Sequence, residues 1–306
     1  MTKTDKVNIY STLSGGGVKV WALQLSNELS KLRIDNKVID TLPGYFLQPF
    51  RTGVTHSTLP FSHPLRGKYI LTLQGIFTEE HLIWSKLYPF AISQADTVTV
   101  PCRFLQEKLQ LKKAMIIPNG IETPTWTKTD YHLKGDRPTL GILTGFSFLN
   151  KARGLIDLAE IVKTLDGKVK LLIGGNPGIY FDRIKAEVIK TGIDCEFLGF
   201  CDKEDFYQKI DIFTYFSHQD VFSIALLETM SRGIPVISNN VGGTKDMFDS
   251  KTNDLLVNNN KDYTEVLSSL ISSEELREKY GQLQGMKCQE FYWENIIPKW
   301  IETYRN

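Results

Sequence analysis

Two carboxylates, Asp220 and Glu228, are separated by seven intervening residues in the stretch FTYFSHQDVFSIALLETMSRGIPVISNNVGGTKD, Phe213 to Asp246. The pattern reads as a strand ending in a polar loop, a helix from near Ser223, a stop at Gly233, a strand opened by Pro235 and a glycine turn at Gly242-Gly243. Asp220 then precedes a helix N-terminus and Glu228 lies inside the helix. The two acids bracket backbone N–H groups and the positive end of a helix dipole, a setting that favours phosphate. Carboxylates accept hydrogen bonds from sugar and ribose hydroxyls while the N–H groups meet a diphosphate, so the set suits a sugar nucleotide. Taken singly, Asp220 reads as a helix cap and Glu228 as a solvated helical acid.

A second candidate is Gly15-Gly16-Gly17, placed between a first strand, Val7 to Thr12, and the helical stripe Val18, Ala22, Leu25, Leu29 and Leu32. Glycines there let backbone approach an anion at the helix start. A dinucleotide fingerprint needs a third glycine where Val20 stands, although Asp40 ends the next strand at about the position of a ribose ligand. The loop alone is equally a tight strand-to-helix turn.

These residues require elements to position them. Short apolar runs alternate with segments of helical period, the signature of parallel α/β layers. Strands are expected at Lys37 to Asp40, Tyr69 to Leu73, Thr97 to Val100 and Met115 to Ile117, with helices between Phe77 and Gln94 and near Phe104 to Leu111. The polar stretch Thr123 to Pro138 ends that unit, and Leu140 to Thr144 opens another. It continues with helix Leu155 to Leu165, strand Val169 to Ile173, a helix around Phe181 to Thr191, strand Glu196 to Leu198, a helix near Lys203 to Ile210 and strand Ile212 to Phe216. Two doubly wound parallel-sheet domains are therefore expected, residues 1–130 and 131–288. The closing segment, Glu290 to Tyr304 within residues 289–306, is too apolar for a free tail and should dock back across the structure.

Composition excludes several classes. Lys plus Arg total 36 and Asp plus Glu 35, a formal charge of +1, with no run of five like charges; that argues against a nucleic-acid-coating surface or a solvating acidic tail. With 42% hydrophobic and 23% charged residues over 306 positions, two packed cores are expected. The longest uncharged stretch, Thr52 to Leu65, has 14 residues including two His and two Pro, too short and too polar to span a bilayer. The N-terminus lacks an apolar signal core, so a cytoplasmic address is expected. Cys102, Cys195, Cys201 and Cys288 never approach Cys-x-x-Cys spacing and read as reduced structural thiols. No His, Cys or carboxylate cluster has metal-ligand spacing and there is no Asp-x-Asp, so no metal is expected.

Asp220, seven residues, Glu228, then Gly233-Ile234-Pro235-Val236-Ile237 and Gly242-Gly243, resembles the signature of the family 4 glycosyltransferases, retaining enzymes of the GT-B fold. Other segments agree in order: Ile117-Pro118-Asn119-Gly120-Ile121, Ile173-Gly174-Gly175, Leu198-Gly199-Phe200 and Glu290-Phe291-Tyr292-Trp293. The likeness extends over nearly the whole chain, densely in the second half. It implies two Rossmann-like domains facing a cleft, with the last helix crossing to the first, and a metal-independent hexosyl transfer from a nucleotide-diphosphate sugar, UDP-sugar foremost, to a glycan or lipid-linked glycan. No cofactor is implied. The work place would be the cytoplasm, including the inner membrane face, with peripheral membrane contact. Lys108, Lys112 and Lys113 are the basic cluster for such contact, although so small a cluster reads first as a solvated helix face.

Carried over position by position, the resemblance assigns the diphosphate to Lys151 and Arg153, the donor sugar to Asp220 and the ribose to Glu228. Gly15, Gly16, Gly17, Gly145, Gly175, Gly199, Phe200, Val221, Phe222, Ser223 and Leu227 would line the donor site. Phe146 stands where the family commonly has Arg, Asp220 where it has Glu, and Gln74 where a first-domain His is usual. His56 and Gln74 are the acceptor-side candidates. Two other readings share the architecture, a sugar-nucleotide 2-epimerase and a non-catalytic sugar-nucleotide-binding subunit.

Overall fold

The computed structural model describes residues 6–11, 17–41, 53–60, 67–80, 82–133 and 135–306. In chain order the first strands and helices are β1 (Val7–Tyr10), α1 (Gly17–Lys31), β2 (Asn36–Ile39), β3 (Val54–Ser57), β4 (Tyr69–Thr72), α2 (Phe77–Glu80), α3 (Leu82–Gln94), β5 (Thr97–Val100), α4 (Arg103–Lys108) and β6 (Met115–Ile116). There follow β7 (Thr139–Leu143), α5 (Leu149–Lys163), β8 (Lys170–Gly174), α6 (Phe181–Lys190), β9 (Cys195–Gly199), α7 (Lys203–Lys209) and β10 (Ile212–Tyr215). The chain continues through α8 (Ile224–Ser231), β11 (Val236–Asn239), β12 (Leu256–Val257), α9 (Asn260–Ser272), α10 (Glu274–Cys288) and α11 (Trp293–Arg305). It divides into two compact units, Met1–Ile121 with Glu290–Asn306, and Glu122–Gln289.

In the first unit six parallel strands run in the order β2-β1-β3-β4-β5-β6. β1, β3 and β4 are buried at every position, the condition of a parallel sheet covered on both faces. Trp21, Ala22, Leu25 and Leu29 of α1 pack on Val7, Ile9, Val54 and Ile70 of the sheet. The rest of that core comes from the far end of the chain: Trp293, Ile296, Ile297, Trp300 and Tyr304 of α11 join it. Trp21 and Trp300 meet edge to face with centroids 5.9 Å apart, an arrangement aromatic rings favour. Ile121 bridges to Tyr292, and Gly120 lies so close to the Trp293 ring that a Cβ there would be 2.4 Å from it.

His56 belongs to this core and not to an acceptor surface. It is wholly buried, with Nδ1 2.8 Å from the Tyr304 hydroxyl and Nε2 2.6 Å from Thr72 Oγ1. Its ring lies 4.7 Å from that of Trp300. Burial pushes its pKa down to about 3, so it is a neutral structural imidazole.

The second unit repeats the architecture with a different order, β12-β11-β10-β7-β8-β9, again all parallel. The chain winds outward from β7 to β9, returns to lay β10 beside β7 and continues outward the other way. That reversal makes the carboxyl ends of β7 and β10 the switch point, where open α/β sheets bind ligands. α5 follows β7 and buries Ala152, Leu155, Leu158, Ala159, Ile161 and Val162. At Gly154 a Cβ would lie 2.3 Å from the Phe216 carbonyl, so a glycine is needed for α5 to lie against the loop leaving β10. On the far side the Gln284 amide of α10 caps both the N–H and C=O of Val236 at 2.8 Å.

Among the described residues no helix is long and apolar enough to cross a membrane. Trp300→Ala should cost about 3–5 kcal/mol, the range for deleting a buried large aromatic. Chemical denaturation followed by far-UV circular dichroism should show the first unit's transition displaced and the second unit's retained.

Candidate functional site

The switch point of the second unit gathers three of the four expected catalytic positions onto adjoining segments: Lys151 and Arg153 from α5, and Asp220 from the loop after β10. Lys151 Nζ lies 2.8 Å from Asp220 Oδ2. The Tyr215 hydroxyl, at the end of β10, donates to the same oxygen, and the Val221 N–H donates to Oδ1 at 2.8 Å. Burial by itself would raise the Asp220 pKa. The Lys151 ammonium, with the donors from Tyr215 and Val221, outweighs it and holds the carboxyl below its usual range. Burial would lower the Lys151 pKa, and the charge of Asp220 more than reverses that, so the ammonium is held firmly protonated. Tyr215 is pushed up by burial and by Asp220, and stays a phenol.

A cation in the first turn of α5 opposes the helix dipole, and the anion that Lys151 meets there is Asp220. Arg153 is exposed and makes no ion pair among the described residues.

The Asp220 loop is fastened on both sides. Asn239 at the end of β11 accepts from the Ser217 N–H at 3.0 Å and donates to its carbonyl at 2.8 Å. Gly242 has φ of +57°, and a Cβ on it would lie 1.7 Å from the Asp220 carbonyl, which explains the glycine turn. Towards α5, His218 pairs with Asp157 and donates its N–H to the Asn150 carbonyl at 3.3 Å.

Glu228 lies on α8, whose N-cap is Ser223. Lys203 Nζ contacts both its oxygens, at 2.8 and 2.7 Å, and the Tyr207 hydroxyl donates to Oε2 at 3.1 Å. Behind it Arg232 stacks on the Tyr207 ring at 4.6 Å, donates to the Glu228 carbonyl at 2.7 Å and pairs with Glu204. Glu204 also accepts from Trp126 Nε1 at 2.7 Å. Burial raises the Glu204 carboxyl, and the Arg232 and Trp126 donors bring it below the ordinary value.

The remaining expected residues fall into groups. Phe200 is 86% exposed at the end of β9, and Gly145 faces open space. Val221 is half-buried, while Phe222 and Ser223 are buried beside the start of α8. Gly175 and Gly199 shape the strand ends: a Cβ on Gly175 would lie 1.7 Å from the Thr144 carbonyl, and its N–H donates to Gly199 O at 2.9 Å. Leu227 departs from the expectation. It has no exposed surface, because it faces the core side of α8, and its side chain cannot line a ligand site.

Phe146 is a core residue, packed edge to face on Phe181 at 4.9 Å. Its replacement of the commoner Arg therefore adds packing and no cation. In the first unit, Gln74 and Asn119 form a reciprocal amide pair at 2.9 and 3.0 Å, tying the end of β4 to the Pro118-Asn119-Gly120 turn. Gly17 opens α1 and is exposed, whereas Gly15 and Gly16 lie outside the described residues.

Tyr207, Tyr215, Lys203 and the Trp126–Glu204–Arg232 chain were not singled out by sequence reasoning. One local signal existed, since Lys203 and Tyr207 stand four residues apart on one helix face. No three His, Cys, Asp or Glu side chains gather as a metal site among the described residues.

Two parallel-sheet units with this winding are the GT-B arrangement, and residues 131–283 match the family described as glycosyl transferases group 1. The chain belongs to that family. It is similar to the O-antigen biosynthesis glycosyltransferase WclY of Escherichia coli, 32% identical over 146 residues, 45% of this chain and 40% of that protein. The match thus spans about two fifths of that relative's length. Among solved structures, sucrose-phosphate synthase from Thermosynechococcus elongatus superposes with a TM-score of 0.82 at 15% identity, covering 98% of both chains. HepE of Anabaena, in complex with UDP and glucose, gives a TM-score of 0.77 at 14% identity over 98% of this chain and 99% of that one. At such identities the likeness is one of fold.

Lys151→Met should leave Asp220 charged and nearly buried without its partner. We expect a loss of about 2 kcal/mol, below the roughly 3–5 of a fully buried pair because the Lys151 side chain keeps 28% exposure. The double variant Lys151→Met, Asp220→Asn should recover part of it in urea denaturation. Because the folded Asp220 pKa is depressed, its contribution is complete above the ordinary Asp value of about 3.9 and fades as pH falls through the lower folded value. In Lys151→Met, where burial is no longer outweighed by the ammonium, the folded carboxyl moves up towards the ordinary value and this pH-dependent contribution should shrink.

Proposed function

We propose that the protein is a retaining glycosyltransferase that moves a hexose-type sugar from a nucleotide diphosphate, UDP foremost, to a glycan or lipid-linked glycan. The observation that carries this reading is the Lys151–Asp220 pair at the β7/β10 switch point, with Glu228 on the helix that follows. Open α/β sheets bind at that point, and one ammonium, two carboxylates and a helix start match one diphosphate, two polyols and an anion.

In this proposal Glu228 accepts hydrogen bonds from the ribose and Asp220 from the donor sugar. Lys151 and Arg153 meet the charge that grows on the departing diphosphate, with backbone N–H groups at Phe222 and Ser223, and no metal takes part. Gly145 and Phe200 border the donor. The acceptor hydroxyl attacks the anomeric carbon on the face the diphosphate leaves and gives its proton to that diphosphate. Configuration is thereby retained, and the chain's own contribution is orientation and charge.

The first domain, residues 1–130, takes the acceptor side with Gln74 among its groups, and residues 131–288 take the donor. WclY is named for O-antigen biosynthesis and HepE was solved with UDP. Both support a nucleotide-sugar donor and a surface-glycan acceptor, handled in the cytoplasm or at the inner membrane face.

Glu228→Gln should weaken UDP binding about ten-fold or more in calorimetric titration, as loss of a charged acceptor does, with thermal unfolding within a few degrees of the unaltered protein. Unchanged affinity would remove Glu228 from the site.

A further inference from the structure

Asp220 and Glu228 are held in the same manner although they lie on different elements. Each accepts from one lysine and one tyrosine. For Asp220 these are Lys151 at 2.8 Å and the Tyr215 hydroxyl; for Glu228, Lys203 at 2.8 and 2.7 Å and Tyr207 at 3.1 Å. The partners differ in freedom. Tyr207 and Tyr215 are each 1% exposed, whereas the Lys151 and Lys203 side chains retain 28% and 54% exposure. Thus each carboxylate meets one donor that is packed in the interior and one that is partly exposed. The tyrosines have few rotatable bonds and are packed in place, Tyr215 in β10 and Tyr207 beneath the Arg232 guanidinium at 4.6 Å. Each lysine swings on a four-carbon stem.

Lys203 spans both oxygens of Glu228 as a vicinal diol would. A ribose that donates to those oxygens must displace the ammonium, and the Tyr207 bond then remains to keep the carboxylate from turning. At Asp220, Lys151 must likewise share its charge with an arriving anion while Tyr215 stays.

We propose that Tyr207 and Tyr215 are the positioning residues of this site. Tyr207 aims Glu228 at the ribose hydroxyls and Tyr215 aims Asp220 at the transferred sugar, while the lysines are the exchangeable partners. The assignment rests on the donor-site reading given under Proposed function.

Tyr207→Phe and Tyr215→Phe delete one hydroxyl each and keep both rings, including the platform under Arg232. Tyr207→Phe should weaken uridine and UDP alike by about ten-fold, the scale of a hydrogen bond to a charged group. In a double-mutant cycle with Glu228→Gln that loss should largely vanish. Tyr215→Phe should leave uridine affinity within about two-fold and lower turnover of UDP-sugar about ten-fold.

With one donor to its charged form gone, Asp220 should protonate at higher pH in Tyr215→Phe, moving the acid limb of kcat/KM upward. The groups facing Asp220 are Lys151, Tyr215, Ser223 near the Tyr215 hydroxyl, and the Val221 N–H. His218, on the same loop, pairs with Asp157 and is common to both proteins.

Additive losses for Tyr207→Phe and Glu228→Gln, or an unmoved acid limb in Tyr215→Phe, would overturn the respective assignment. So would equal loss of uridine binding in both tyrosine variants. The Asp220 carboxyl can also be titrated directly by carbon NMR on the full-length chain without nucleotide. If the unaltered protein binds no UDP, the donor-site reading fails. An upward-moved carboxyl titration in Tyr215→Phe would still show that Tyr215 holds Asp220, and an unmoved one would refute it.

Discussion

The contact on which the second unit's site depends is the approach of α5 to the backbone beyond β10 at Gly154, where the gap to Phe216 leaves no room for a Cβ. A parallel sheet by itself brings strand ends together but leaves their loops free. Here the missing methyl lets a helix from one side of the switch point rest on the loop from the other. Lys151, almost one turn earlier on the same helix, then meets Asp220. The charge pair and the tyrosine beneath it follow from that packing, since each needs the two segments at a fixed spacing. A lysine in a helix's first turn is ordinarily unfavourable against the dipole, and the acid supplied by the opposing loop offsets this.

The two carboxylates share a design and differ in support. Asp220 is short, sits in a loop and is steadied by glycine turns and by Asn239 behind it. Glu228 is part of a helix and is steadied through a relay of side chains that runs from Trp126 in the segment before β7 to Arg232 at the end of α8. The polar stretch leading into the second unit is therefore tied to its site. Lys128 in the same stretch is nearly buried against Asp211, 3.6 Å away, which anchors the segment in spite of its loop-like composition.

Much of this was legible in the sequence, for identifiable reasons. Tyr69–Thr72 stands out because a parallel strand buried on both faces is short and mostly apolar, and Thr97–Val100 because it is a run of β-branched residues. The start of α5 was harder. Its apolar stripe suggests Leu155, yet the helix begins at Leu149, because the acid that tolerates Lys151 lies 69 residues away. α9 and α10 were not foreseen at all, although Asn259 and Ser273 cap them by accepting from Asp262 and Leu276 N–H groups; those caps were the available signal. His56 misleads for the opposite reason. The strand-like run ending at His56 suggests a side chain offered to an acceptor, whereas it fills a central strand whose side-chain hydrogen bonds are met by α11 and β4. The partners of Glu228 were hidden because Lys203 and Tyr207 are 25 and 21 residues away and only tertiary folding selects them.

Helix α11 carries a temporal consequence. The first unit draws Trp293 to Tyr304 into its core, whereas the second is one uninterrupted stretch, Glu122–Gln289. During synthesis every residue of the second unit has left the ribosome before the first has its full set. The unit encoded earlier must wait as an open sheet with Trp21 and Leu25 uncovered, while the one encoded later can close. Order of translation and order of completion are thus reversed in this chain, and the waiting interval is when its aromatic surface needs shelter.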